Sequence, residues 1–276
     1  MQQLGTDRLF VQEQYSEPDK LRIRIETHER YSRGDTERII DCCIAALDLS
    51  PGLNVLDVGC GAGSWHPRLA AGTVVVGVDL MLGMLREART TDLALRPRPA
   101  LVQADAQALP LATASFDRVL CAGVLYHVPN CQQALLEIRR VLRPGGRAII
   151  STNGAYAMRR IYELHADAAR ELGYEPVPIT PGHFTMDDLQ VVQRVFPVVE
   201  CHVLEGALVF TTSDPALRFY ATNRIDALQD RPTDGSHRGR LLPSMRERIE
   251  AIIDADGAFV VPKSVGWFTC RLESPH

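Results

Sequence analysis

Lysine is nearly missing from this chain: of its 30 basic residues only Lys20 and Lys263 are lysine, and the rest are arginine. Two positions at most can therefore run chemistry through a covalent amine. A basic surplus is missing as well, since 34 acidic residues leave a net charge of −4. No general field draws such a chain onto nucleic acid or an anionic membrane, so neither is expected as a partner. Long apolar runs do not occur, and none approaches the ~18 residues that a membrane span requires. The opening MQQLGTDRLF holds no apolar signal core. Seven cysteines (Cys42, Cys43, Cys60, Cys121, Cys131, Cys201 and Cys270) form no CxxC pair and no regular spacing. An odd set of scattered thiols without a leader reads as the reduced cysteines of a cytoplasmic protein. No His/Cys/Asp group has metal-ligand spacing, and no catalytic metal is expected.

What is present is an ordinary globular balance, 46% hydrophobic and 23% charged over 276 residues. That length suits one large domain, or one domain with an embedded lid. Residues 1–50 are polar and helical in character. Asp35 is placed to cap a helix in which Ile39, Ile40, Cys43, Ile44 and Leu47 recur at helical spacing, up to Pro51-Gly52. From Leu53 the pattern alternates: strand-like runs at 53–58, 73–79, 100–104, 116–121 and 147–151, helix-length segments at 64–71, 81–95 and 131–143. The runs are almost continuously apolar, as when both faces of a sheet are covered by helices. Strand–helix–strand repetition with short loops implies a parallel sheet with right-handed crossovers.

After Ser151 the alternation stops. A helix is expected at 155–173, closed by Gly173, and another at 185–195, with Thr185 as N-cap and Asp188 three residues on imitating a capping box. Strand signals return at 197–204, with an apolar stretch at 207–211, and again at 264–272, with helices at 214–229 and 243–255 between. The expected organisation is a helical lid segment over 1–50, a ligand-binding core over 51–152, and C-terminal strands with helical insertions over 153–276.

The strongest local signal is Val55-Leu56-Asp57-Val58-Gly59-Cys60-Gly61-Ala62-Gly63, which follows a strand and opens a helix. Glycines permit the tight turn and let a ligand approach the backbone, while the helix start offers free N–H groups. The next strand, Thr73 to Asp79, ends in an acid, the type of group that accepts hydrogen bonds from both hydroxyls of a ribose. Asp105 follows the third strand, although an aspartate there is also a common turn residue. All three acids fall at carboxyl ends of parallel strands, where open α/β sheets place ligands.

Taken in order, DVGCGAG, GVDL, QADAQALPLATASFDRVLCAGVLYHVPN and LRPGG resemble the class I S-adenosylmethionine-dependent methyltransferases, in particular the small-molecule branch that includes ubiquinone and menaquinone C-methyltransferases. The resemblance covers about residues 50–152. It implies a doubly wound, seven-stranded, mostly parallel Rossmann-like sheet with helical lid insertions, and S-adenosyl-L-methionine as cofactor. By the same resemblance Asp57, Gly59 and Gly61, with Cys60 between them, should form the loop around the methionine part. Asp79 should bind the ribose with Leu80 and Met84 packed nearby, and Asp105 and Ala106 should face the adenine. Cys121 should lie near the sulfonium or amino-acid end, and Tyr31 should close over the carboxylate. Cys60 and Met84 also have bland readings, as a small turn residue and a core residue.

A dinucleotide oxidoreductase of the short-chain type would need a tyrosine followed four residues later by lysine, and Tyr126, Tyr156 and Tyr162 lead instead to Asn130, Arg160 and Ala166. Methyl transfer is an in-line displacement, so the protein must align donor and acceptor and exclude water. His127, after the fourth strand, is the candidate general base, with Tyr126 as a donor to the acceptor; either also serves simply to shape the loop. Trp65 and His66 follow the glycine loop as candidate borders of the site, Asn153 lies just beyond the fifth strand as a candidate acceptor contact, and His165 and His183 fall in lid segments that carry no readable acceptor motif. The expected activity is methylation of oxygen, nitrogen or carbon on a small organic acceptor. An RNA or protein methyltransferase and a non-catalytic cofactor-binding module stand as alternatives.

Overall fold

The computed structural model describes residues 18–222 and 224–273. In chain order, helix α1 (Pro18–Tyr31) runs straight into a short strand β1 (Ser32–Gly34), and a 3-10 turn over Asp35–Arg38 leads to α2 (Ile39–Leu47). Asp35 thus starts a turn rather than capping the helix, which begins four residues later without a side-chain cap. Next come β2 (Asn54–Val58), the one-turn α3 (His66–Leu69), β3 (Val74–Asp79), α4 (Leu82–Thr91), β4 (Ala100–Gln103), β5 (Phe116–Ala122), α5 (Cys131–Val141) and β6 (Leu142–Asn153). Beyond them lie α6 (Arg159–Glu171), α7 (Leu189–Gln193), β7 (Val198–Phe210), α8 (Ser213–Tyr220), α9 (Ser236–Asp256) and β8 (Phe259–Arg271).

The strands form one eight-stranded sheet in the order β1-β7-β8-β6-β5-β2-β3-β4. β4, β3, β2, β5 and β6 are mutually parallel, β8 is antiparallel to both its neighbours, and β1 runs antiparallel to β7 at the edge. Seven strands are those expected. The eighth, β1, comes from the N-terminal segment, whose polar triplet Ser32-Arg33-Gly34 has no alternation to read. The runs 197–204 and 207–211 prove to be one strand, paired without interruption to β8 from Val198 to Phe210. β6 begins five residues before its expected start, because Leu142 pairs with Phe116 ahead of a register shift that accommodates Pro144-Gly145-Gly146.

Alternate residues of the central strands feed separate cores on the two sheet faces. Leu56, Val58, Val119, Cys121, Ala148 and Ile150 pack under α5, α7 and Phe184. Val55, Leu120, Ile149 and Trp267 pack under α2 and α3. A third core gathers α6, α8 and α9 over the far ends of β7 and β8, around Phe210, Tyr220, Met245 and Phe259. α9 starts seven residues before its expected boundary and carries Pro243 inside. Its first turn is held by buried Asp226, which meets His237 Nε2 at 2.9 Å and accepts from both Nε and a terminal nitrogen of Arg238. The Thr185 capping box is present: Thr185 N–H donates to Asp188 Oδ2 at 2.8 Å while its hydroxyl accepts from Asp187 N–H. Among the described residues no helix is long and apolar enough to cross a membrane.

Phe268 is fully buried on β8, edge-on to Phe184 at 6.1 Å between ring centroids. Phe268→Ala should cost about 3–5 kcal/mol, read as a lower urea midpoint with an unchanged slope; a loss below about 1 kcal/mol would mean that the two rings do not hold this face.

Candidate functional site

A cavity of about 390 Å³ opens at the carboxyl ends of β2, β3, β4 and β5. Its floor is the turn after β2. There Gly59 N–H and Cys60 N–H both donate to Val78 O, at 2.7 and 3.0 Å, folding the chain back over β3. Gly59 (φ +71°) and Gly63 (φ +75°) adopt left-handed backbone, a region that side chains disfavour. Space enforces the same choice: a Cβ on Gly59 would run into Val124, and one on Gly63 would stand 2.8 Å from His66 Nδ1.

Asp79, at the end of β3, closes the turn. Its Oδ2 accepts from Gly61 N–H at 2.8 Å and its Oδ1 from Met81 N–H at 2.8 Å. Burial pushes this carboxyl above its ordinary range while both hydrogen bonds hold it down. Each oxygen keeps a further lone pair for a ligand hydroxyl. Asp57, at the end of β2, is 2% exposed, and its Oδ2 has no hydrogen-bond partner. Burial, with Asp79 and Asp92 nearby, pushes it up to about 8. Asp105 sits in a turn and on the cavity wall at once, so its two readings coincide. Gln107 N–H donates to its Oδ1 at 2.9 Å, and Gln107 Nε2 lies 3.0 and 3.1 Å from the two carboxylate oxygens. Gln107 then accepts from Asn130 N–H at 3.1 Å, tying the β4 wall to the segment that follows His127. Sequence reasoning missed Gln107, since a glutamine two residues after an aspartate carries no pattern of its own.

The structure brings Asp57, Gly59, Cys60, Gly61, Asp79, Leu80, Met84, Asp105, Ala106, Tyr126 and His127 onto this one cavity. Tyr126 and His127 lie on the 3-10 turn after β5, their rings edge-on at 4.4 Å. Two residues do not join them. Cys121 shares a face with Val119 and is 1% exposed inside the sheet core; its neighbour Ala122 reaches the cavity instead. Tyr31 packs on Phe210, ring centroids 5.0 Å apart, and borders a separate space between α1 and α8 with Arg30 and Arg218. A tyrosine at the last turn of α1 points away from the end of the helix that covers the site.

That cover is made by Leu21 and Ile25, two helix-spaced residues of α1. Residues of the segments 155–185 and 214–256, also expected as lid, are not among those lining this cavity. Lys263 of β8 fastens α1 to the sheet: its Nζ donates to Ser32 Oγ at 2.6 Å and meets His28 Nδ1 at 3.2 Å. Burial lowers Lys263 to about 8 and His28 to about 3, so at neutral pH the ammonium donates and the neutral imidazole accepts. Trp65 borders the cavity, whereas His66 is fully buried behind it. His165 is a core group, 2.7 Å from the Tyr220 hydroxyl, and His183 and Asn153 are exposed.

Turn, strand-end acids and cover suit a ligand with a polar, cationic end, a diol and a flat ring. A buried carboxylate oxygen still lacking a partner (Asp57 Oδ2), the Asp79 carboxylate, and apolar Met84 and Ile25 supply the three kinds of contact. Residues 56–150 match the model of the methyltransferase domain family. A demethylmenaquinone methyltransferase of Renibacterium salmoninarum is 37% identical over 126 residues, 45% of this chain and 52% of its own length. The 27-O-demethylrifamycin SV methyltransferase of Amycolatopsis mediterranei is 32% identical over 163 residues, 58% of either chain. The matched part thus spans about half the length of these relatives. The crystal structure of the YcgJ protein from Bacillus subtilis superposes with a TM-score of 0.58 at 16% identity, over 86% of this chain and 98% of that one, and so shares the fold. Residues 56–150 of this chain thus carry the sequence pattern of a methyltransferase domain, on a fold shared with the YcgJ protein.

Proposed function

We propose that the protein transfers a methyl group from S-adenosyl-L-methionine to a small organic acceptor. The observation that carries the reading is the meeting of a glycine turn and three strand-end acids, Asp57, Asp79 and Asp105, around one covered cavity. Relatives named for methylating menaquinone precursors and a rifamycin support an organic acceptor, as does a net charge of −4 with no excess of basic residues.

Bound there, the cofactor would supply an electrophilic methyl group on a positively charged sulfur. The chain's own residues have three tasks. Asp79 takes the ribose hydroxyls with the lone pairs that Gly61 and Met81 leave open. Asp105, steadied by Gln107, faces the exocyclic amine of the adenine. Leu21 and Ile25 keep water from the reacting centre, which strengthens every charge interaction inside it. An acceptor that must lose a proton, such as a phenol, needs a base on this wall. His127 is the candidate, because imidazole titrates nearest neutrality, and Tyr126 beside it orients the acceptor.

Asp79→Ala should weaken S-adenosylmethionine binding at least about tenfold by calorimetry, since a hydrogen bond to a charged group is worth about 1.5–3 kcal/mol. The thermal midpoint without ligand should stay within a few degrees of the natural protein. Equal affinity in the two proteins would remove the ribose assignment. His127→Ala should lower methylation of a phenolic acceptor by about 10²-fold or more, with the dissociation constant for the cofactor nearly unchanged. An unaltered rate would leave His127 a wall residue. Activity itself is read by transfer of a labelled methyl group across a panel of phenols, quinols and macrolide alcohols. Cofactor binding without transfer to any of them would favour a cofactor-binding module over an enzyme.

A further inference from the structure

Behind the glycine turn, three ionisable side chains form a line, of which the proposed methyl transfer uses Asp57 alone. Asp92, in the 3-10 turn after α4, presents both carboxylate oxygens to His66 Nδ1, at 2.9 and 3.0 Å. On the far side of the same ring, His66 Nε2 faces Asp57 Oδ2 at 3.6 Å. All three groups are buried, His66 completely. The two facing atoms, Nε2 and Oδ2, both lack a hydrogen-bond partner. A pair of buried polar atoms turned toward each other and separated by slightly more than a hydrogen bond is an expensive arrangement unless a proton is shared across it. The ring has no room to turn away, because a Cβ on Gly63 or Gly77 would stand within 3.0 Å of it. Beyond Asp57 lies the cavity.

We infer that Asp92 and His66 are positioning residues that act through Asp57, with His66 serving as an internal acceptor for the Asp57 proton when a cationic ligand group arrives. The inference rests on the proposed function only for the ligand's identity as a cation. Before binding, the Asp57 carboxyl holds the proton. On binding, the O–H bond of Asp57 breaks, an N–H bond forms at His66 Nε2, and Nδ1–H stays donated to Asp92. The site then reads carboxylate, imidazolium, carboxylate, and Asp57 meets the ligand as an anion. No proton leaves for solvent.

The surroundings force this route. Burial, Asp79 on β3 and Asp92 push Asp57 up to about 8, so without help it is neutral at pH 7. Of the nearby thiols, Cys60 on the turn is pushed far up by burial and by Asp57, Asp79 and Asp92, and Cys121 on β5 by burial and Asp57, so both stay uncharged. His66 is the basic group in contact with Asp57, and Asp92 compensates the charge it would take on.

The test is calorimetry of S-adenosylmethionine binding between about pH 6 and 9, in buffers of different ionisation enthalpy, which counts protons exchanged. The natural protein should bind with nearly constant affinity and close to zero protons released. In His66→Asn the amide can still donate to Asp92 but cannot accept the proton. Binding should then release about one proton, and affinity should fall about tenfold per pH unit below about 8. Asp92→Asn, which keeps the imidazole, should show the same slope more weakly. The double variant Asp57→Asn/His66→Asn should lose the slope and bind weakly at every pH. A merely structural role would lower affinity by one factor at all pH values with no proton released, and that parallel result in both folded single variants would overturn the relay. If the natural protein itself ignores S-adenosylmethionine at millimolar levels, the methyl-transfer reading falls and takes the relay with it.

Discussion

One hydrogen bond sets the geometry on which the site depends: Gly61 N–H donating to Asp79 Oδ2. It joins the turn leaving β2 to the end of β3, and so fixes how far the glycine backbone stands from the strand-end acids. The turn can reach that far only because Gly59 and Gly63 sit in left-handed backbone and bring no side chain into spaces filled by Val124 and His66. Asp79 in turn endures burial because two backbone N–H groups hold its charge in place. A carboxylate so held has little freedom left to lose when a ligand binds, which is the physical content of a preorganised site.

Most of this could be read from the chain because parallel strands buried on both faces leave a coarse mark. A run such as Val74–Val78 is apolar without alternation, and the acids at the ends of β2 and β3, Asp57 and Asp79, are conspicuous. The Thr185 box was legible for a similar reason: capping is local, and Thr-x-x-Asp carries its geometry within four residues. What escaped depends on contacts far apart in sequence. β1 is a strand because Ser32 pairs with Leu208. α9 begins early because His237 and Arg238 find Asp226. Tyr31 left the site because Phe210, nearly 180 positions later, offers it a partner. Cys121 was misplaced by a single step of strand parity, which sends its thiol into the sheet core and Ala122 to the cavity.

The helices added after β6 have a different role from the one their position suggested. α6, α8 and α9 do not fold over the glycine turn; they bury Phe210, Tyr220 and Phe259 in a core of their own at the end of β7 and β8. The long antiparallel pair β7–β8, thirteen residues on each strand, serves as the wall on which that core is built. Charge is confined along with bulk. Asp79 and Asp92 lie near enough to Asp57 to raise it, and Lys263, a buried cation, lies where the cover meets the sheet.

The tether made by Lys263 also dictates an order of events as the chain leaves the ribosome. Its partners, His28 and Ser32, emerge 235 and 231 positions earlier, and β1 likewise waits for β7. The floor and walls, residues 57–129, are therefore synthesised long before the strands that anchor the first helix to the sheet. Vectorial growth thus delivers the pocket's floor first, and α1 gains its tether to the sheet only when β8 arrives to receive it.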